Sequence, residues 1–422
     1  MTIGEIRKGN GDHLLRGVPE GLRPSGRIRP LSPFQGERGR GERSIEALNN
    51  PYNDDKVISA CSLFGMMDVS GKVFSGKEII RAIANMHVRS NGLGGGFAVY
   101  GLYPRYADYY AFHLMYMNKQ ARAETEDLLR ENFHQVLAEE IPVNPCIAVS
   151  NAPGLFRYFL EPEPASLNGR PADDFVIEKV MQINTCIEGA FVFSSGKNMG
   201  VFKGAAYPED IASYFRLEEY EGYLWTAHGR FPTNTPGWWG GAHPFNILDW
   251  TVVHNGEISS YGINRRYLEM FGYACALQTD TEVIAYAMDL LMRRHKLPME
   301  AAVSVLAPAF WEEIERMPAA KQELHRALRT VYGSLLLNGP FTVIIARQGE
   351  MMGLTDRIRL RPLTAATRGD MFFLSSEESA IRLVCPELDR AWIPMGGEPV
   401  IARLGGTKVV AEGAVAAGRA AC

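Results

Sequence analysis

The order of patterned segments constrains this chain more than any other feature of it. Apolar runs with strand character come first: Cys61–Asp68, then Phe97–Tyr103, Tyr109–Met117, Cys146–Ser150, Leu155–Glu161, Cys186–Ser194, Met199–Lys203, Gly222–Arg230 and Thr251–His254. Helical periodicity dominates from Tyr261 to about Tyr332. Strands return at Phe341–Arg347, Gly353–Thr355, Met371–Ser375 and Val400–Arg403. Strands, then helices, then strands predict an α+β fold with largely antiparallel sheets, because a parallel sheet would need a helix after each strand. Earlier helices are expected after Ser75, at Ala121–Glu139 and at Asp173–Met181. Two pairs read as capping boxes, Ser75 with Glu78 and Thr279 with Glu282. Residues 105–180 have a strand–helix–strand logic of their own and read as an inserted block.

The first 55 residues differ from this. Leu15–Arg43 is rich in Arg, Gly and Pro and has neither a helical nor a strand period. Such a segment cannot bury enough apolar surface to offset its chain entropy. A disordered leader, a propeptide or a start codon assigned too far upstream accounts for it. A transit peptide fits less well, because Glu20, Glu37 and Glu42 are acidic. The organisation expected is therefore a leader over 1–55, one domain over 56–405 and a short tail over 406–422.

Charge and cysteine usage narrow the class. With 44 Lys and Arg against 48 Asp and Glu the net charge is -4, which excludes a general nucleic-acid binder. There is no run of 18 apolar residues, so no membrane span is expected. The six cysteines are scattered, with no CxxC, so neither a zinc site nor a disulfide scaffold is expected; a reducing, cytoplasmic compartment is.

Several residues could carry chemistry. Gly92-Leu93-Gly94-Gly95-Gly96 follows a helix and leads into a strand. A phosphate cradle has the reverse order, so this run reads as a tight turn with close backbone approach. The densest polar cluster is Trp225–Ile258, which holds His228, Arg230, Thr233, His243, His254, Asn255 and Gly256. Asn255-Gly256 ends an apolar strand. It is either a plain hairpin turn or a pair of amide donors for an oxyanion. Arg230 is either a surface ion pair or a fork for a carboxylate. Asp280 is either an acid favoured by a helix dipole or a partner for an ammonium group. Cys61 stands where the leader meets the first strand. Exposed as a new N-terminus, it would have its own α-amine as a base, with a reference pKa of about 7.7–8.0. Otherwise it is a buried structural thiol.

Taken together, Cys61-x-x-x-Gly65, His228–Thr235, Ala242-His243-Pro244-Phe245, Val253–Ile258, Thr279–Glu282, Asp356–Leu363 and Ser376–Ser379 resemble, in that order, a class II glutamine amidotransferase domain. The RFPTNT and SNGLGGGF runs are most similar to the stand-alone amidotransferase subunit of archaeal-type glutamate synthase. The resemblance covers about residues 56–405 and implies a four-layer αββα Ntn-hydrolase sandwich. It implies Cys61 as the nucleophile, forming a thioester with L-glutamine after removal of everything before it. It implies Asn255 and Gly256 as the oxyanion hole, Arg230 on the substrate α-carboxylate and Asp280 on its α-ammonium. Thr233 and His243 fall on positions near that carboxylate. Cys61-Ser62-Leu63 departs from the Cys-Gly-Ile start of many relatives. The implied cofactors, FMN and iron–sulfur, are expected on a partner synthase subunit and none on this chain. Ammonia supply to another synthase, such as an N-methylglutamate-type enzyme, and a non-catalytic scaffold are the alternatives.

Overall fold

The computed structural model describes residues 60–406 apart from Ile147, Ser150 and residues 233–236, with a final strand at Val410–Ala411. The expected leader, nearly all of the tail and Thr233 lie outside the described residues.

Two antiparallel sheets form the centre. The first has the order Arg390–Trp392, Thr364–Arg368, Met371–Ser375, Ser62–Asp68, Leu224–Gly229, Gly95–Tyr100 and Met199–Gly204. The second runs Phe245–Ile247, Trp250–Gly256, Phe341–Arg347, Glu350–Thr355, Val400–Arg403 and Val410–Ala411. Alternation along each strand puts successive side chains on opposite faces. Val253, Ile344 and Met351 accordingly join the core shared with the first sheet, while Val252, Ile345 and Met352 join the core beneath the helices. The sheets approach so closely at Gly65 that a Cβ there would lie 2.8 Å from Met351 Sδ. Helices Lys77–Ala84, Pro208–Tyr214 and Glu378–Val384 cover the first sheet, and Glu282–Met288 covers the second. The chain is thus an α+β sandwich with the four-layer αββα order that the resemblance implies.

A third sheet, ordered Phe133–Glu140, Gly154–Pro162, Tyr110–Tyr116 and Ala190–Ser194, accounts for the strand–helix–strand block and reaches beyond residue 180. Here the sequence reading needs correction. The helix expected to reach Glu139 is Lys119–Asn132, begun by Asn118 Oδ1 accepting from Ala121 N at 2.8 Å. Residues 133–140 turn into an edge strand. The helical spacing of Leu129 and Phe133 gives way to packing of Phe133 against Phe112 and Phe175. No strand forms among the described residues of 146–150.

Neither capping box forms. The helix after Ser75 starts from Gly76, and Glu78 turns outward to Arg81. Glu282 is the first residue of its helix, and its carboxylate accepts from Ala276 N at 3.2 Å and Leu277 N at 2.9 Å instead of serving Thr279. Short strands at Thr364–Arg368 and Arg390–Trp392 were not expected from the sequence. Among the described residues no helix is long and apolar enough to cross a membrane.

Candidate active site

Strand register assembles the site. Ser62 pairs with Gly229 and Leu63 with His228, which sets Cys61 beside Arg230 at the end of the neighbouring strand. In the facing sheet, Asn255 pairs with Thr342 and Gly256 with Phe341, so the Asn-Gly step also lies at a strand end. The Cys61 Sγ accepts from Phe231 N at 3.4 Å, and the Cys61 carbonyl accepts from Arg89 Nε at 3.2 Å. Arg89 is itself braced by Glu377 at 2.9 Å. Ser376 Oγ accepts from Leu63 N at 3.1 Å, so the Ser376–Ser379 motif holds the first strand's start. Asp356 does the same for the facing sheet, its carboxylate accepting from Phe341 N, Ile358 N and Leu360 N.

The glycine run is a set of close approaches, as expected. A Cβ on Gly94 would lie 3.0 Å from Arg230 Cδ. One on Gly95 would lie 2.7 Å from Pro208 N, and one on Gly96 2.3 Å from the His243 carbonyl oxygen. Each glycine makes room for a different neighbour. Gly256 is equally obligatory: a Cβ would meet the Pro340 carbonyl oxygen at 2.0 Å.

A cavity of about 450 Å³ opens at these strand ends, and Cys61, Arg230, His243, His254, Gly256 and Asp280 are among the residues that line it. Asn255 is 1% exposed, and its Nδ2 has no hydrogen-bond partner among the described residues. Leaving a buried amide donor unmade costs about 1–3 kcal/mol, so an unpaired one beside a cavity marks a place for an acceptor.

The electrostatics follow from burial. Burial pushes the Cys61 thiol up, opposed by the Phe231 N–H and the Arg230, Arg361 and Arg89 guanidinium groups. Burial lowers Arg230, while Cys61, Asp280 and Glu257 favour its charge. Asp280 is also pushed up by burial, but His254, the Ile258 N–H and the Thr281 hydroxyl outweigh this and hold its carboxyl below the usual range. Its Oδ2 accepts from Ile258 N at 2.8 Å, tying the 279–281 loop to the segment just after Gly256. Asp280 precedes the helix that begins at Glu282 and is not a first-turn acid.

Three histidines gather at the cavity, His243 and His254 in its lining and His228 against His243. His243 stacks on His228 with ring centroids 4.0 Å apart. The Thr281 hydroxyl meets His243 Nε2 at 2.9 Å and His254 Nδ1 at 3.0 Å. His228 Nδ1, His243 Nδ1 and His254 Nε2 have no partner among the described residues.

The structure thus brings Cys61, Arg230, His243, Gly256 and Asp280 to one cavity wall and sets Asn255 beside it; Thr233 lies outside the described residues. Sequence reasoning missed Arg89, Thr281 and Lys203. Thr281 was absorbed into the supposed capping box. Lys203 carried a usable signal, a lysine inside the apolar strand MGVFKG, since lysine is seldom fully buried without a purpose.

A family model described as glutamine amidotransferases class-II matches residues 117–270, which include Arg230, His243, Asn255 and Gly256 but neither Cys61 nor Asp280. An uncharacterized protein of Archaeoglobus fulgidus is 60% identical over 354 residues, covering 83% of this chain and 94% of that one. A glutamine–fructose-6-phosphate aminotransferase of Sulfurisphaera tokodaii is 34% identical over 119 residues, 28% of this chain and 20% of that protein. The glutamate synthase [NADPH] large chain of Bacillus subtilis is 28% identical over 235 residues, 50% of this chain and 15% of that protein. The chain therefore matches only a fraction of the length of these two relatives. Over residues 117–270 the chain thus carries a class II glutamine amidotransferase domain.

Proposed function

We propose that this chain hydrolyses L-glutamine to glutamate and ammonia, with Cys61 as nucleophile. The observation that carries the reading is the convergence of Cys61, Arg230, Gly256 and Asp280 on one cavity. Arg230 takes the substrate α-carboxylate with a planar fork, and Asp280, held as a carboxylate, takes the α-ammonium. Thr233 and His243 complete the carboxylate end. The thiol proton passes to the Cys61 α-amine as Sγ attacks the side-chain amide carbon. Asn255 Nδ2 and the Gly256 N–H meet the oxygen that becomes negative. The α-amine returns the proton to the leaving nitrogen, ammonia departs, and water cleaves the thioester to glutamate.

This scheme needs a free α-amine, so residues 1–60 must be removed first. The ammonia goes to a separate glutamate synthase subunit that carries FMN and iron–sulfur, while this chain binds neither. Support for that acceptor is the similarity to the Bacillus subtilis glutamate synthase large chain. Intact-mass measurement of the purified chain, followed by an assay of ammonia release from glutamine, tests the reading. A species starting at Cys61 that releases ammonia is expected. A processed species with no glutaminase activity, alone or with its synthase, sinks the proposal in favour of a scaffold.

A further inference from the structure

Among the described residues, the mechanism above leaves one fully buried lysine unused. Lys203 is 0% exposed, in the strand that forms the edge of the first sheet. It pairs with Gly96, whose missing side chain is what admits it: a Cβ there would lie 2.6 Å from Lys203 Cβ. Lys203 Nζ donates to the Gly240 carbonyl at 3.0 Å and to the Ala242 carbonyl at 2.8 Å. The ammonium also sits 4.4 Å from the Phe245 ring centroid. Burial lowers it to about 7, with Glu282 favouring its charge and Arg230 opposing it.

The two carbonyls flank Gly241. A Cβ on Gly241 would lie 3.1 Å from Arg230 Nη1, and one on Gly94 3.0 Å from Arg230 Cδ. The Arg230 side chain thus runs in a slot with Gly94 on one side and the 240–242 backbone on the other. We propose that Lys203 is a positioning residue that holds this backbone wall and thereby sets where the Arg230 fork meets a substrate carboxylate. An amine here is more apt than an apolar residue, because it can donate to two carbonyls that have no other hydrogen-bond partner among the described residues.

The inference rests on the glutamine reading above and deepens it, and its test separates the two. Lys203→Met keeps an apolar stem and removes the donors. The processed enzyme is assayed with L-glutamine and with its α-carboxamide, which has no carboxylate for Arg230. We expect KM for glutamine to rise roughly ten- to a hundredfold, the scale of one misplaced charge-assisted hydrogen bond, with kcat within about twofold. The kcat/KM for the α-carboxamide should stay at the wild-type value. An equal loss on both substrates makes Lys203 a general support and overturns the inference. An unchanged glutamine KM overturns it while leaving the glutaminase reading intact. A wild-type enzyme inactive on both substrates removes the reading and the inference together. Should Lys203→Met fail to fold, Gly241→Ala probes the same wall from the other side and should give the same substrate-selective rise in KM. No rise there also overturns the inference.

Discussion

Two groups of buried histidines make an instructive pair. His113, which packs between the third sheet and the first, and His228, beside the cavity, are both 0% exposed, and burial lowers each to about 3. His113 is complete: Nδ1 meets the Val201 carbonyl at 2.8 Å and Nε2 the Tyr103 hydroxyl at 2.9 Å. His228, His243 and His254 each keep one ring nitrogen without a partner among the described residues. Asn255 Nδ2 is in the same condition a residue away from His254. Burial and depressed basicity do not separate structure from site here. Completion does for these four histidines, since a finished network rigidifies a core while an unfinished one beside a cavity leaves room for a ligand.

The contrast can be broken by substitution, and the largest effect belongs to Cys61→Ala. Glutamine hydrolysis should fall by about a thousandfold or more with the fold kept, because only a small cavity replaces the thiol. Retained ammonia release would move the nucleophile elsewhere. Asn255→Ala comes next: kcat should drop roughly a hundred- to a thousandfold with KM nearly constant, as for other oxyanion donors. A rise in KM alone would make Asn255 a binding residue.

Asp280→Asn should then raise KM for glutamine by about tenfold or more, as expected for losing one partner of a substrate ion pair. It keeps an acceptor for Ile258 N but gives up the charge that His254 favours, so the melting temperature should fall only modestly. A falling melting temperature with unaltered kinetics would assign Asp280 to loop support.

The smallest kinetic effect is expected from His113→Phe. It should leave kcat/KM within about twofold and cost about 1–3 kcal/mol of stability, because it strands the buried Val201 carbonyl and leaves the Tyr103 hydroxyl with only Arg157 Nη1, at 3.5 Å. It also has a pH signature. The unfolded chain takes up a proton at His113 near 6.5 while the folded chain resists until about 3, so acidification across that window destabilises the wild type. The variant should lose that share of the acid dependence, as thermal melts across the window would show. A large kinetic defect in His113→Phe would erase the distinction between the two histidine groups.

Much of this was legible in the residues. Strand order and the Asn-Gly strand end emerge from local pattern, because alternation and turn chemistry act over a few residues. Side chains answering to distant partners were not legible. Glu282 stands three residues after Thr279, as a capping box requires, yet its carboxylate serves Ala276 and Leu277. Phe133 continues a helical spacing but belongs to an edge strand, since ring packing across the third sheet outweighs intrinsic helix preference. Lys203 makes sense only once Gly96 and the 240–242 backbone are seen beside it.

The hydrogen bonds described for Cys61 run through its sulfur and its carbonyl oxygen, to Phe231 and Arg89. Its successor Ser62 is already zipped to Gly229. Among the described residues Cys61 is thus moored from the downstream side, and under the proposed mechanism the peptide bond to Ala60 is a hawser to be cut while these moorings hold. Under the proposed mechanism, activity should appear at the pace of that one scission. The bonds at the Cys61 sulfur and carbonyl and the pairing of Ser62 with Gly229 should be common to the precursor and its product.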